Sequence, residues 1–327
     1  MTDKRIRTFV APASPAGRPT PSSSATPTPK ANTQRPVAGV KPRKAPRYHD
    51  GQRMGPPRGT RKLVALKRDE RVTVGDHLQQ DSLKVTHLGG LGEIGRNMQV
   101  IEYKDDIILV DAGFGFPEED QPGIDYNLPN VSYLEGKESR IRGLLITHGH
   151  FDHIGALPYI VNKIGNAPIY ATNLTAGIVK KRHVEFPALP ALDITIVAGG
   201  DVVQLGTHFT VEFVHVNHNI PDDVALCITT PVGIVFHTSD FKFDPEPLNE
   251  APTDIAHLKS IGDRGVTLLL SDSTAAERPG NSISESTINA NLEEVFKQAK
   301  GRLITATYSS LINRIQQIIT LSEKYNR

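Results

Sequence analysis

Between Leu83 and His150 every apolar run is short and is stopped by a glycine, an aspartate or a histidine: LKVTHLGG, MQVIEYKD, DIILVDAGFG and RIRGLLITHGH. Runs of this length, rich in branched aliphatics, suit buried strands rather than helices. The last one constrains the chain most. It leaves LLIT directly into HGHFDHIGALPY, so that His148, His150, Asp152 and His153 fall within six positions. A loop at a strand exit lets side chains two residues apart converge, whereas on a helix they point away from each other.

Imidazole and carboxylate at this density point to a metal. With no thiolate in the set zinc is suited, and manganese stays open beside it. Four ligands from six residues crowd a single ion, so two ions sharing the loop are expected, His148 and His150 serving one, Asp152 and His153 the other. Further ligands must come from later strand ends. FVHVNHNIPDD offers His215 and His218, and His218 is preferred because the turn-forming NIPDD follows it. IVFHTSDFKFD offers Asp240, placed to bridge the two ions and assigned with Asp152 to the catalytic set. Paired metals lower the pKa of water and stabilise both oxygens of an in-line displacement on phosphorus. Asp111, which ends IILVDAG, is expected to orient a ligand imidazole, the alternative being a plain turn residue. His237 is read either as another such orienting group or as a contact to substrate and its leaving oxygen. His87 either lines the cleft or belongs simply to its strand. LGGLGEIG contains GxGxxG from Gly90 to Gly95, but NMQVIEY after it is another strand, not the helix a dinucleotide site needs. A close hairpin bordering the cleft is expected there.

Further on, PYIVNKIG and NLTAGIVKKRHVE read as helices flanking the strand APIYAT, and ITIVAGGDVVQL, FTVEFVHVN and VALCITTPVGIVFHTSD return to strands. The pattern predicts two sheets with helices outside. After the linker-like PEPLNEAP, the strand GVTLLLSDST, the helix SISESTINANLEEVFKQAK, the strand GRLITATYS and the helix SLINRIQQIITLSEKYNR open a second α/β unit. The expected divisions are an arm at 1–62, a lead-in at 63–82, a first domain at 83–250 and a second from 251 to 327.

Charge is divided unevenly along this plan. Residues 1–62 carry 14 Lys and Arg against 2 Asp and Glu, about +12, while the whole chain is +1. The body therefore sits near −11. Rich in Pro, Ser and Thr and poor in large apolar residues, the arm is expected to be disordered. It serves either to hold a polyanion by phosphate contacts or only as a solubilising tail. It has no amphipathic helical period, which argues against a mitochondrial presequence. No apolar run approaches the ~18 residues of a membrane span. Cys227 is the single cysteine, as expected for a reducing compartment, and a cytoplasmic, membrane-free protein is the default.

HGHFDH followed by His218 and Asp240, together with LGGLGEIGRNM, VDAGFGFPEEDQPGIDYNLP, NHNIPDDVALCITTP, HTSDFKFD and SDSTAAERPG, resembles the ribonuclease J family. The likeness runs from about Leu83 to the end. It implies a metallo-β-lactamase αββα sandwich, here incomplete, with the start of an inserted α/β β-CASP domain. It also implies a dizinc centre that hydrolyses single-stranded RNA by 5′-to-3′ exonuclease and endonuclease action. By the resemblance His148, His150 and His218 hold one zinc, while Asp152, His153 and Asp240 serve the other, Asp240 bridging. Asp111 matches the family's early aspartate, Asp272 the first acidic β-CASP motif, and Ser309 and Ser310 the region of an RNA-phosphate pocket. A homo-oligomer and partners in RNA decay and rRNA processing are further implications. The family commonly has an acidic residue where Phe151 stands, Gly where Ser239 stands and His where Asn313 stands. Its β-CASP histidine motif and the late histidine that completes the second metal are expected to fall beyond Arg327. Two rivals stay open: a lactamase-fold hydrolase of small acyl substrates, against which SDSTAAERPG speaks, and an RNA- or partner-binding protein without turnover.

Overall fold

In a computed structural model of the chain, the structure describes residues 81–119 and 121–327. The basic arm and nearly all of the lead-in lie outside the described residues. Chain order runs β1 (Lys84–Gly89), β2 (Met98–Tyr103), β3 (Asp106–Val110), β4 (Ile141–Leu145), α1 (Phe151–Ile154), α2 (Leu157–Ile160), β5 (Ile169–Ala171), α3 (Asn173–His183) and β6 (Ile194–Ile196). It continues with β7 (Val202–Leu205), β8 (Phe209–His215), β9 (Val224–Thr230), β10 (Gly233–His237), α4 (Ile255–Asp263), β11 (Val266–Leu270), α5 (Glu285–Gln298) and α6 (Ile312–Lys324).

Two sheets result. The first has the order β1-β2-β3-β4-β5-β6, antiparallel up to β3 and parallel beyond it. The second has the order β11-β10-β9-β8-β7 and is antiparallel except where β11 joins β10. Both are buried on two faces, and alternate residues of one strand feed different cores. In β3, Ile107 and Leu109 pack outward with Leu157, Ile160 and Ala176 of the helices. Ile108 and Val110 pack inward with Phe209, Val211 and Phe213 of β8. The far face of the second sheet closes on α4 through Val214, Cys227, Phe236 and Ile261. Helix, sheet, sheet, helix is the sandwich the sequence pattern predicts.

Asp106 ties the two sheets together at one end. Its buried carboxylate accepts from Arg142 Nε of β4 at 2.5 Å, and from the Thr207 amide (2.7 Å), the His208 amide (3.1 Å) and His208 Nδ1 (2.7 Å) in the β7–β8 hairpin. Four donors on one carboxylate leave that hairpin a single seat.

Three details depart from the sequence reading. PYIVNKIG is not one helix: α2 gives way to a 3-10 turn at Val161–Ile164 that ends on Gly165 in the left-handed region, φ 68°. The strand expected in GVTLLLSDST forms, but as β11 it pairs in parallel with β10, so the second sheet extends past residue 250. GRLITATYS forms no strand, and Ile304 and Tyr308 stand exposed there. A β run gains its hydrogen bonds only from a neighbour, and among the described residues none lies alongside it.

Asp106→Asn is expected to destabilise the chain by about 1–3 kcal/mol near neutral pH. Burial works to raise the Asp106 pKa, but Arg142, the Thr207 amide and His208 outweigh it and hold it below the usual carboxylate range. The folded pKa is thus depressed, and the stabilisation is present above pH about 4 and lost as pH falls through the folded value. Urea unfolding of both chains at pH 7 and at pH 3 should show the gap shrinking at the lower pH.

Candidate metal centre

Parallel neighbours β3 and β4 leave the first sheet at the same edge, and the centre is built where they exit. Asp111, the first residue past β3, adopts a left-handed backbone at φ 61°. Its amide donates to Leu145 O at 2.9 Å. Its fully buried carboxylate collects the Thr147 amide (2.8 Å), the Thr147 hydroxyl (3.0 and 3.1 Å) and His153 Nδ1 (2.8 Å). One carboxylate thus fixes both the start and the end of the loop that holds His148 and His150. Two residues on, a Cβ on Gly113 would stand 1.5 Å from the Asp152 carbonyl oxygen, so only glycine lets α1 lie this close. The Ala112 amide bonds the His153 carbonyl (2.7 Å) and the Asn97 amide bonds the Asp152 carbonyl (3.1 Å).

With Nδ1 of His153 committed to Asp111, its Nε2 faces inward, 3.6 Å from an oxygen of Asp152 and 3.6 Å from Asp240 Oδ2. The same Asp240 oxygen lies 3.7 Å from His218 Nε2. His148 Nε2 stands 3.0 Å from His150 Nδ1. Ligating atoms of His148, His150 and His218 all fall within 4.8 Å of one another, and so do those of His148, His153 and Asp240. Donors at about 2.1 Å from a tetrahedral ion lie about 3.4 Å apart, so these separations fit. The donors are nitrogen and carboxylate oxygen only. Both clusters can coordinate metal ions, and Asp240 lies between them. Asp152 reaches His153 from the rim and does not join either tight cluster.

Electrostatics follow from burial and from this mixture of charges. Burial pushes His148 well below the usual imidazole range, with its histidine neighbours adding to the effect, and takes His218 down to about 4. His150 and His237 are lowered by burial as well. Burial works the same way on His153, but Asp111 and Asp240 overcome it and hold its pKa well above the ordinary value. Burial would lift Asp240, yet the hydrogen bond and charge of His153, with His218 and His150, bring it to about 2. His148, His150 and His218 are thus neutral at pH 7, as metal ligands must be, whereas His153 binds an ion only by giving up the proton that Asp111 and Asp240 favour.

The remaining sequence candidates are placed as follows. His215 points elsewhere, its Nε2 donating to the Ala251 carbonyl at 2.9 Å, so His218 is the histidine that joins the centre. His237 is buried with both nitrogens engaged: Nδ1 accepts from the Ser239 amide at 3.1 Å, and Nε2 lies 3.2 Å from Gln99 Oε1. It holds the loop carrying Asp240 and presents no free nitrogen to a leaving oxygen. Asp272 follows β11, its amide bonded to Thr238 Oγ1 (3.0 Å) and its carboxylate to Thr274. Ser309 and Ser310 lie exposed in the turn before α6. His87 is a half-buried residue of β1, paired with Gln99 of β2.

Two residues had no signal of their own. Asn97 Nδ2 lies 3.1 Å from the Asp152 carbonyl and 3.0 Å from His153 Nε2; the glycine-rich run before it gave only a nearby hairpin. Asp223, in NIPDD, is fully buried behind His148, and Ser239 Oγ donates to it at 2.6 Å. Burial raises its pKa well above the usual range, the Ser239 bond opposing.

Comparison with known proteins agrees with this geometry. The family profile of the metallo-beta-lactamase superfamily matches residues 91–293, and the chain belongs to that superfamily. Within it, the ribonuclease J family is the one it falls into. It is 40% identical to ribonuclease J of Thermus thermophilus over 253 residues, 76% of this chain and 44% of that protein. It is 43% identical to ribonuclease J of Helicobacter pylori over 247 residues, 75% of this chain and 35% of that one. The chain therefore spans less than half the length of these relatives. A crystal structure of a protein of unknown function from Enterococcus faecalis shares the fold, with TM-score 0.57, 20% identity, and coverage of 73% of this chain and 63% of the other.

Asp111→Ala should cost about 3–5 kcal/mol, because it strands the buried Thr147 amide and His153. Zinc at a hundred times its dissociation constant should stabilise the wild-type chain by about 2.7 kcal/mol per site. Thermal melting with zinc and then with excess chelator checks this, and His148→Ala should abolish most of the zinc-dependent gain.

Proposed function

We propose that the chain houses the centre of a zinc-dependent ribonuclease that hydrolyses phosphodiesters of single-stranded RNA, by 5′-to-3′ exonuclease and endonuclease action, in RNA processing and decay. The observation that carries this reading is the convergence of His148, His150 and His218, and of His148, His153 and Asp240, as two adjoining clusters in a chain about 40% identical to ribonuclease J. In this reading His148, His150 and His218 would hold one zinc, and Asp152, His153 and Asp240 would hold the other, Asp240 lying within reach of both. A bound pair would lower the pKa of a water and stabilise the charge that grows on the phosphate. The chain's own residues do the positioning. Asp111 keeps the His153 lone pair turned inward, Asn97 fixes Asp152 by its carbonyl, and His237 with Gln99 holds the strand end from which Asp240 projects.

The division into a metallo-β-lactamase part and the start of a β-CASP domain belongs to the same proposal, with α4 and β11 kept on the first side of the boundary expected at 250, because β11 pairs with β10 and α4 packs on that sheet. Its support is that α5 and α6 are joined directly to each other: Glu285 accepts from Arg314 and Gln317 at 3.0 and 3.1 Å, and Glu293 accepts from Lys324 and the Tyr325 hydroxyl at 2.8 and 2.6 Å. Asp272, Ser309 and Ser310 are proposed to face the RNA. The basic arm at 1–62 would raise local RNA concentration through phosphate contacts. Among the described residues no helix is long and apolar enough to cross a membrane.

Degradation of 5′-monophosphorylated RNA by the purified chain tests the reading. The wild type should degrade it and Asp152→Ala should lose at least a hundredfold in rate, on the order of a missing metal-holding group. Equal rates from both, or cleavage of small acyl substrates in place of RNA, would contradict it. Deleting residues 1–62 should weaken RNA binding and flatten its dependence on salt.

A further inference from the structure

Behind each histidine at the ends of the metal-binding loop stands a buried aspartate, and only one of the two was legible in the sequence. Asp111 takes the Nδ1 proton of His153. His148 is enclosed in the same way by three oxygen atoms around its own Nδ1: Thr147 Oγ1 at 3.1 Å, Ser239 Oγ at 3.3 Å and Asp223 Oδ2 at 3.3 Å. A hydroxyl has one proton to give. Thr147 spends its proton on Asp111, and Ser239 spends its proton on Asp223 Oδ1 at 2.6 Å. Both hydroxyls therefore offer His148 only lone pairs, so the ring proton sits on Nδ1 and Nε2 is left bare toward His150 and His218. Asp223 Oδ2 has no hydrogen-bond partner although it is wholly buried. A buried carboxylate oxygen without a partner, 3.3 Å from a ligand imidazole, marks a group whose second interaction is with the charge at the centre.

Ser239 adds an independent observation. It stands at φ 57°, in the left-handed region where glycine is at ease and a side chain is strained. What the serine has that a glycine lacks is the hydroxyl, and that hydroxyl lies between Asp223 and His148. Resting on the metal-centre reading above, we propose that Asp223 and Ser239 form a positioning pair for the zinc held by His148, His150 and His218. Ser239 fixes Asp223 behind His148, and Asp223 Oδ2, 3.3 Å from Nδ1, completes with the Thr147 and Ser239 hydroxyls the oxygen cage that holds the Nδ1–H form of that imidazole. Groups that orient ligand histidines from behind change metal affinity by about 10–100-fold when they are removed. The first zinc is thereby matched to the second, which has Asp111 in the corresponding place.

The test is zinc affinity of the whole chain, by competition with a chromophoric chelator, for wild type, Asp223→Asn and Ser239→Gly, with circular dichroism to verify the fold. The His148 Nδ1–H proton resonance of the zinc-loaded chains is recorded alongside. Asp223→Asn should weaken one of two zinc sites by about 10–100-fold and move that resonance upfield, and Ser239→Gly should do the same to a smaller, several-fold extent. A folded Asp223→Asn chain with wild-type affinity, or with weaker binding but an unmoved resonance, would overturn the pair. Should Asp223→Asn fail to fold, Ser239→Gly decides alone: wild-type affinity in it overturns the proposal, and a several-fold loss with a shifted resonance supports it. A wild-type chain that binds no zinc at all would instead overturn the metal-centre reading on which the pair rests.

Discussion

The buried carboxylate of Asp111 is the fixed point of the molecule's active edge. It lies where two parallel strands end side by side, and it meets a backbone amide, a hydroxyl and an imidazole that are buried with it. An unpaired charge in such a place is costly, and so is an unpaired amide. Each therefore requires the other, and the loop between Ile146 and His153 has little freedom left. The left-handed turn at Asp111 and the close approach at Gly113 follow from the same need to bring α1 down onto the strand ends.

From that point the fold adds ligands by topology. The second sheet packs on the first through β8, β9 and β10, and two of its strand ends, at His218 and Asp240, reach the loop from the other side. Neither could meet the HGHFDH loop by local structure alone. Asp106, at the opposite end of β3, holds the two sheets in register by seating the β7–β8 hairpin. The centre is in this sense a product of sheet-on-sheet packing, with each sheet supplying ligands that the other cannot.

Much of this was legible in the residues because it rested on short-range spacing. Strand runs stopped by Asp, Gly or His gave the sandwich. The density of HGHFDH gave the loop, and turn chemistry after His218 separated it from His215. What stayed hidden depends on long-range contact. Asp223 is a turn residue in NIPDD until the second sheet folds it behind His148, and Asn97 is one polar residue after a glycine run until Asp152 lies beside it. His237 was read either as an orienting group or as a contact to substrate; Gln99, from a different sheet, takes up its remaining nitrogen. The strand expected at GRLITATYS is absent for a related reason, since a run of β-formers acquires a ladder only from a neighbour that sequence does not reveal.

The central claim is that two metal positions share Asp240. Anomalous diffraction at the zinc edge from crystals of this chain addresses it directly. The account predicts two peaks about 3.5–4 Å apart, one among His148, His150 and His218 and one among Asp152, His153 and Asp240. A lone peak held by exposed carboxylates away from the β3 and β4 strand ends, with none beside His148, would contradict it.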